Sequence, residues 1–365
     1  MAGKPIILIL GKLPPPIIGP AIATNIILNS SLKEEFKLVH FDTRINAEVA
    51  TMGKWSLGKL FKSFELYRKY KAVIKKEQPD LILVPISQTT MGFVKDAPFI
   101  RIGSKYAKVI VQLRGSNFKN WLATASSFTN GFVKKALSRC VGVIVLGNNL
   151  KYLFEAYFDT EKIFVVPNGG DYELQTKTEE GLTVLYLANF LASKSFDDVL
   201  KALVILKEKG ITNFKMNAAG AWDDEDFKQK CLAIIADNKL ENVTLLPPQS
   251  GKAKMQLFAD ADMFVFCPKM PEGHPWVIVE AMANGLPVIA TDQGAIIESV
   301  KDGENGFIVP QESPQIIAEK LEKLIVSKEL RRRFSEESKN LYLSNFTEEK
   351  MVLNLSKVFN NVLKK

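Results

Sequence analysis

The chain has 365 residues, 47% of them hydrophobic and 24% charged, and a formal net charge of +8. That length exceeds what one hydrophobic core serves and suits two domains, and the composition excludes a disordered or fibrous chain. No segment approaches the roughly 20 apolar residues of a membrane span, and three widely spaced cysteines, Cys140, Cys231 and Cys267, argue against a disulfide framework or a zinc site and suit a reducing cytoplasm.

The charge is unevenly shared. Residues 1–170 hold 24 Lys or Arg against 11 Asp or Glu, a net of +13, while the remainder nets −5. The first half therefore faces something acidic, with nucleic acid, anionic lipid and a diphosphate-linked acceptor as candidates.

Apolar runs alternate with helical patterns along the whole chain, the mark of parallel sheets built from β-α-β units. The first series of strands is expected at 5–10, 36–41, 80–85, 108–113, 141–146 and 162–166. Ile6–Leu10 is followed by Gly11 Lys12 Leu13 Pro14, which reads as strand and loop rather than as a signal peptide. The loop through Gly19 then opens a helix whose N-terminus favours negative charge, and Gly19 lets a ligand approach the backbone; a plain strand-to-helix turn is the competing reading. Residues 54–77 carry Trp55, Leu57, Leu60, Phe61, Phe64, Tyr67 and Ile74 at helical spacing with eight basic residues against two acidic ones. This fits a helix lying on an anionic membrane and equally a core-facing helix with a solvated basic side. Gln112 Leu113 Arg114 Gly115 Ser116 Asn117 ends a strand of the basic half, where Arg114 can bind acidic groups or form a structural ion pair.

The polar residues 171–181 read as a linker, and a second series of strands follows near 182–187, 214–218, 243–246, 262–267, 287–291 and 307–309. Two doubly wound domains result, 1–170 and 182–345, facing across a cleft. Asp260 and Asp262 have the look of a metal-binding pair but fall at a helix-to-strand junction and read as structural, so no metal is expected. Asp223–Asp226 reads as an acidic first helical turn. An amphipathic helix closes the chain after Thr347.

The most informative stretch is Pro271 Glu272 Gly273 His274 Pro275 Trp276 Val277 Ile278 Val279 Glu280 Ala281 Met282 Ala283. Glu280 stands in a run apolar on every side, where an unpaired carboxylate costs several kcal/mol. With Pro275 as first helical residue, Glu272 sits in the preceding loop and Glu280 roughly 7 to 8 Å along the axis at about 1.5 Å per residue. The backbone N–H groups of Gly273, His274 and Trp276 lie between them, an anion site flanked by two acceptors for hydroxyls, as a nucleotide-sugar pocket requires. Glu280 capping a loop or pairing with a buried Arg or Lys is the alternative.

This stretch, continued by Asn284–Ile289, Thr291–Ala295 and Asp302–Phe307, resembles the signature of family 4 of the retaining glycosyltransferases, which have the GT-B fold. The resemblance implies that Glu272 binds donor-sugar hydroxyls and Glu280 the ribose, with Gly273, His274, Pro275 and Gly19 lining the donor site. It places Leu185–Ser195 over the family's Gly-Arg, four residues, Lys-Gly motif. Lys194 matches there, whereas Asn189 replaces the Arg and Ser195 the Gly, so Lys194 alone is left to neutralise the departing diphosphate. Gln112, Arg114 and Asn117 fall in the acceptor region, where many relatives carry histidine. With only His40 and His274 in the chain, a histidine base is missing there, and front-face retaining transfer needs none. The last helix, 346–365, would cross back to the first domain.

The implied activity is transfer of a sugar from a nucleoside diphosphate sugar, as co-substrate and without a further cofactor, to a glycan or lipid-linked acceptor of the cell envelope. It would take place at the inner face of the cytoplasmic membrane. A GT-B nucleotide-sugar epimerase and a non-enzymatic sugar-nucleotide-binding protein are the rival readings. A nucleic-acid partner is disfavoured because no recognition motif accompanies the charge.

Overall fold

The computed structural model describes residues 3–15, 17–44 and 57–364, with side chains of the helix Leu57–Glu77 described from Lys62 onward. The chain forms two compact units, residues 1–168 with 348–365, and residues 169–347.

The first unit is a parallel six-stranded sheet: β1 (Ile6–Gly11), β2 (Lys37–Asp42), β3 (Leu81–Ile86), β4 (Lys108–Leu113), β5 (Gly142–Val145) and β6 (Ile163–Val165), in the order β2-β1-β3-β4-β5-β6. Ile7–Leu10, Leu81–Val84, Val109–Val111 and Val143–Val145 are buried as continuous apolar runs, because helices cover both faces of such a sheet. The helix Glu348–Lys364 belongs to this unit. Its Phe359 ring meets Phe36 edge-on at 5.7 Å, and Lys108 Nζ donates to the Val362 and Leu363 carbonyls, where a cation suits the negative end of the helix.

The second unit repeats the plan with β7 (Thr183–Leu187), β8 (Lys215–Ala219), β9 (Val243–Leu246), β10 (Met263–Phe266), β11 (Val288–Thr291) and β12 (Gly306–Val309), in the order β12-β11-β10-β7-β8-β9. All pairings are parallel. The twelve strands match the expected ones within about a residue at each end.

The stretch expected as a linker is fastened along the second unit. Asp260 accepts from the Thr178 and Glu179 N–H groups, Asp262 accepts from Lys177 and the Thr183 N–H, and Tyr342 Oη donates to the Gly170 carbonyl. The two aspartates thus have structural work, and among the described residues no cluster of metal-ligating side chains occurs.

Of the stretch 54–77, Trp55 lies outside the described residues. Tyr70 and Ile74 are buried, and Tyr67 donates to the Lys95 carbonyl and packs edge-on against Phe99, so this part of the helix faces the core. Phe64 remains 73% exposed among basic neighbours. Among the described residues no helix is long and apolar enough to cross a membrane.

Candidate functional site

In the second unit the strand order reverses between β7 and β10, and ligands of open parallel sheets bind outside the carboxyl ends of strands at such a point. One loop leaves the end of β7, passes Asn189, whose side chain is exposed, and makes a single 3-10 turn at Ala192–Lys194. The other leaves β10 and carries Glu272 into the helix Trp276–Ala283. The backbone ties them, since the Lys269 N–H donates to the Ser193 carbonyl at 3.0 Å. The side chains tie them again: the Lys194 ammonium is ion-paired to Glu272 Oε1 and lies 5.5 Å from the centre of the Phe266 ring.

The turn that aims Lys194 ends on Ser195, at φ 56° and ψ 38°, a left-handed conformation in which glycine is at ease and serine costs about 1 kcal/mol. Phe196–Glu208 continues as a helix with Phe196, Val199, Leu200 and Leu203 buried.

The helix Trp276–Ala283 is apolar all round because it is sandwiched in the core, with Ile278, Val279, Ala281 and Met282 at zero exposure. Pro275, expected as the first helical residue, is its N-cap, so the helix starts one position later, at Trp276, and the N-cap makes no side-chain bond to the first turn. Glu280 is buried and finds the cation its burial demands: Lys254, from the helix Gly251–Asp260, donates to Glu280 Oε1 at 2.6 Å. The expected alternative of a buried lysine partner is thus present.

The same Lys254 ammonium lies 2.6 Å from Glu280 Oε2, so it spans both oxygens of the carboxylate. Tyr172 Oη and Trp276 Nε1 are buried without a hydrogen-bond partner among the described residues. A Cβ added at Gly170 would meet both Tyr172 Oη at 3.2 Å and the Trp276 ring at 3.4 Å, so the two side chains converge there. Burial first, then the nearby Glu280 charge, pushes the Tyr172 phenol well above its ordinary range and keeps it a neutral donor. Buried polar atoms without partners are few in folded proteins, and two such donors suit a polar ligand bearing hydroxyls.

His274 contributes differently. Its side chain is 2% exposed, its Nε2 lies 2.5 Å from Ser299 Oγ, and its ring packs on Phe346 at 5.2 Å. Burial pushes its pKa down to about 3, so the imidazole is neutral and fixes the loop. The loop Thr291–Ala295 supports the same segment from behind. The Ala295 N–H donates to the Gly273 carbonyl at 2.7 Å, and Gly294, at φ +60°, passes so close that an added Cβ would lie 1.8 Å from the Glu272 carbonyl oxygen.

In the first unit the order reverses between β1 and β3. Lys12 follows β1, the helix Gly19–Asn29 opens at Gly19 with no side-chain cap, and Arg114 follows β4. Gln112 is buried within β4, and the Asn117 N–H donates to Gln88 Oε1 at 2.8 Å. Arg114 Nη1 donates to Asn168 Oδ1 at 2.8 Å, and no carboxylate pairs with it among the described residues. Glu272, Gly273, His274, Pro275, Glu280, Asn189 and Lys194 are therefore carried by one unit, and Gly19, Gln112, Arg114 and Asn117 by the other.

Sequence reasoning did not single out Lys254, Tyr172 or Gly294. A buried carboxylate was itself the signal that a cation had to exist, but nothing local to Lys254 named it. Tyr172 was hidden in a polar stretch.

Comparison with known proteins agrees with this geometry. Residues 173–341 match the family model described as "Glycosyl transferases group 1". An uncharacterized glycosyltransferase of Haemophilus influenzae is 25% identical over 82% of this chain and 81% of its own length. The capsular polysaccharide biosynthesis glycosyltransferase CapM of Staphylococcus aureus is 27% identical over 51% of this chain, which spans about half, 47%, of that relative. Among solved structures, sucrose-phosphate synthase from Thermosynechococcus elongatus superposes with a TM-score of 0.76 at 15% identity, covering 99% of this chain and all of that one. HepE of Anabaena, in complex with UDP and glucose, superposes at 0.74 and 18% identity over 98% of this chain and all of that one. The fold is GT-B, two Rossmann-like domains.

Proposed function

We propose that the chain, whose residues 173–341 match the group 1 glycosyl transferase model, transfers a sugar, with retention, from a nucleoside diphosphate sugar to a hydroxyl of a glycan or lipid-linked acceptor. The observation that carries this reading is the pair of carboxylates at the head and in the body of one buried helix, each tied to its own lysine. Lys194 takes the diphosphate as it departs, assisted by the first-turn N–H groups of Trp276–Ala283, and Glu272 is thereby released to sugar hydroxyls. The Glu280 carboxylate accepts from the ribose while Lys254 holds it in place. The acceptor proton passes to the departing phosphate oxygen, so no side-chain base is required, and no metal is part of the scheme.

Replacing Glu280 with glutamine is expected to reduce transfer at least tenfold, mainly through weaker nucleotide binding. Thermal stabilisation by a panel of nucleoside diphosphates and their sugars reads this directly, since a ligand at 100 times its Kd adds about 2.7 kcal/mol. Unchanged stabilisation in the variant would remove Glu280 from the site.

We place the enzyme at the inner face of the cytoplasmic membrane. Support comes from the +13 charge of residues 1–170 and from Phe64, which stays exposed on the basic helix Leu57–Glu77. Binding to vesicles should then require anionic lipid and weaken as salt rises, each lysine contributing on the order of 1 kcal/mol. Exchange of Lys59, Lys62, Lys69 and Lys75 for glutamine should release the protein. Equal binding of variant and parent would exclude this helix as the anchor.

A further inference from the structure

Arg114 is placed at the carboxyl end of β4, one strand away from the reversal of strand order in the first unit. A guanidinium carries five N–H donors, and among the described residues the one bond that Arg114 makes is to a neutral amide, the side-chain oxygen of Asn168, itself 3% exposed. Arg44 pairs with the Asp42 carboxylate and Arg332 with those of Glu329 and Glu336, and the partly buried Arg331 donates to the Leu324 and Ile325 carbonyls. Arg114 has no carboxylate partner among the described residues, although protein surrounds it closely enough to lower its pKa to about 10, which still leaves it charged at neutral pH.

Removing a cation from water without a counter-ion is costly, and folded chains keep such a group where its charge is used. The local backbone is built to hold it. Gly115 passes so near Gln88 that an added Cβ would lie 2.2 Å from Gln88 Nε2, and Gln88 Oε1 in turn accepts from the Asn117 N–H. The strand end is thus locked, and Asn168 fixes one edge of the guanidinium while the other edge keeps its donors. Asp96, in the helix that follows β3, is occupied elsewhere: its Oδ2 accepts from the Ser87 N–H at 2.7 Å, and the Lys95 and Lys12 charges act on it. A planar fork with a free edge matches the two oxygens of a phosphate or a carboxylate.

We infer that Arg114 is an anion receptor for the acceptor, so that the preferred acceptor carries a phosphate or carboxylate group. This rests on the transferase reading and adds the class of acceptor to it. Two sources supply that chemistry, a phosphate-linked lipid carrier and an acidic sugar residue.

The experiment compares acceptors in matched pairs: a glycosyl phosphate and a uronic acid glycoside, each against its neutral counterpart. In Arg114→Gln the ratio of kcat/KM between anionic and neutral acceptor should fall at least about 30-fold, carried by acceptor KM. Arg114→Lys should recover part of it, and the donor KM should move less than the acceptor KM. Whichever anionic member loses more identifies the source.

An equal loss with charged and neutral acceptors, or a loss confined to donor KM, would overturn the assignment. Independently of turnover, inorganic phosphate and glucuronate are titrated by calorimetry into Lys194→Ala and into the double variant with Arg114→Gln. The second substitution should weaken binding of at least one anion about tenfold, and equal binding of both anions would also overturn it. A parent protein that binds no nucleoside diphosphate and releases no sugar would instead sink the transferase reading, and the titration would still judge Arg114.

Discussion

Replacing Lys194 with alanine is expected to lower kcat by about 10² or more, with donor binding reduced much less. The reason is timing: the charge on the departing diphosphate grows as the glycosidic bond breaks, and a cation aimed there is worth more in the transition state than before it. Asn189 stands where the resemblance implies an arginine, so more of the task is expected to fall on Lys194. Glu272→Gln is expected to cost at least tenfold, since the amide still reaches a sugar hydroxyl but loses charge. The two residues are ion-paired to one another, so their effects should not multiply. The double variant should lose measurably less than the product of the single losses, as interacting residues do. Steady-state kinetics of the four proteins, repeated with a chelator present, decides the matter. A change confined to acceptor KM in Lys194→Ala would contradict the role, and complete loss on chelation with recovery by magnesium would bring a metal into the scheme.

What the sequence conveyed follows from where each signal is local. Strands such as Ile6–Gly11 and Lys108–Leu113 declare themselves because a strand buried on both faces must be apolar along its whole length. The Glu272 to Glu280 spacing was legible for the same kind of reason: the helix between them was apolar on every side, so the acid inside it required an explanation. Lys254 was not legible. It reaches Glu280 by packing between two helices that are distant in sequence, and a lysine in Gly251–Asp260 looks like any solvated lysine. The helix Leu57–Glu77 shows the limit of periodicity, which cannot tell a stripe that meets a membrane from one that meets a core. Tyr70 and Ile74 turned to the core, while Phe64, on the same helix, did not. Ser195 shows the converse. Its identity departs from glycine, yet its backbone takes a left-handed turn, a geometry that the residue type conceals.

Gly294→Ala is expected to abolish most transfer, at least about 100-fold in kcat/KM, while leaving both units folded. Two effects combine at this position. The left-handed backbone, at φ +60°, costs alanine about 1 kcal/mol, which affects stability and hardly touches chemistry. The collision is the larger effect: a Cβ 1.8 Å from the Glu272 carbonyl oxygen and 2.6 Å from that of Gly273 cannot be accommodated by a side-chain rotation, because both neighbours are backbone. The loop bearing Glu272 must retreat by about 1 Å or more, and a displacement of that size in a positioned group is enough for about 10² in rate. Glu272 would move away from Lys194, and the N-terminus of Trp276–Ala283 would lose its register with the diphosphate. Gly210 provides the control, for it has φ +77° with open space around it, so Gly210→Ala carries the backbone strain without the collision. That variant should melt a few degrees lower and transfer normally. If Gly294→Ala behaves as Gly210→Ala does, the loop tolerates the shift and the exact placement of Glu272 is not what transfer depends on. If only Gly294→Ala loses activity, with its circular dichroism unchanged, the position of one carboxylate, set from behind by a residue that touches no ligand, governs the reaction.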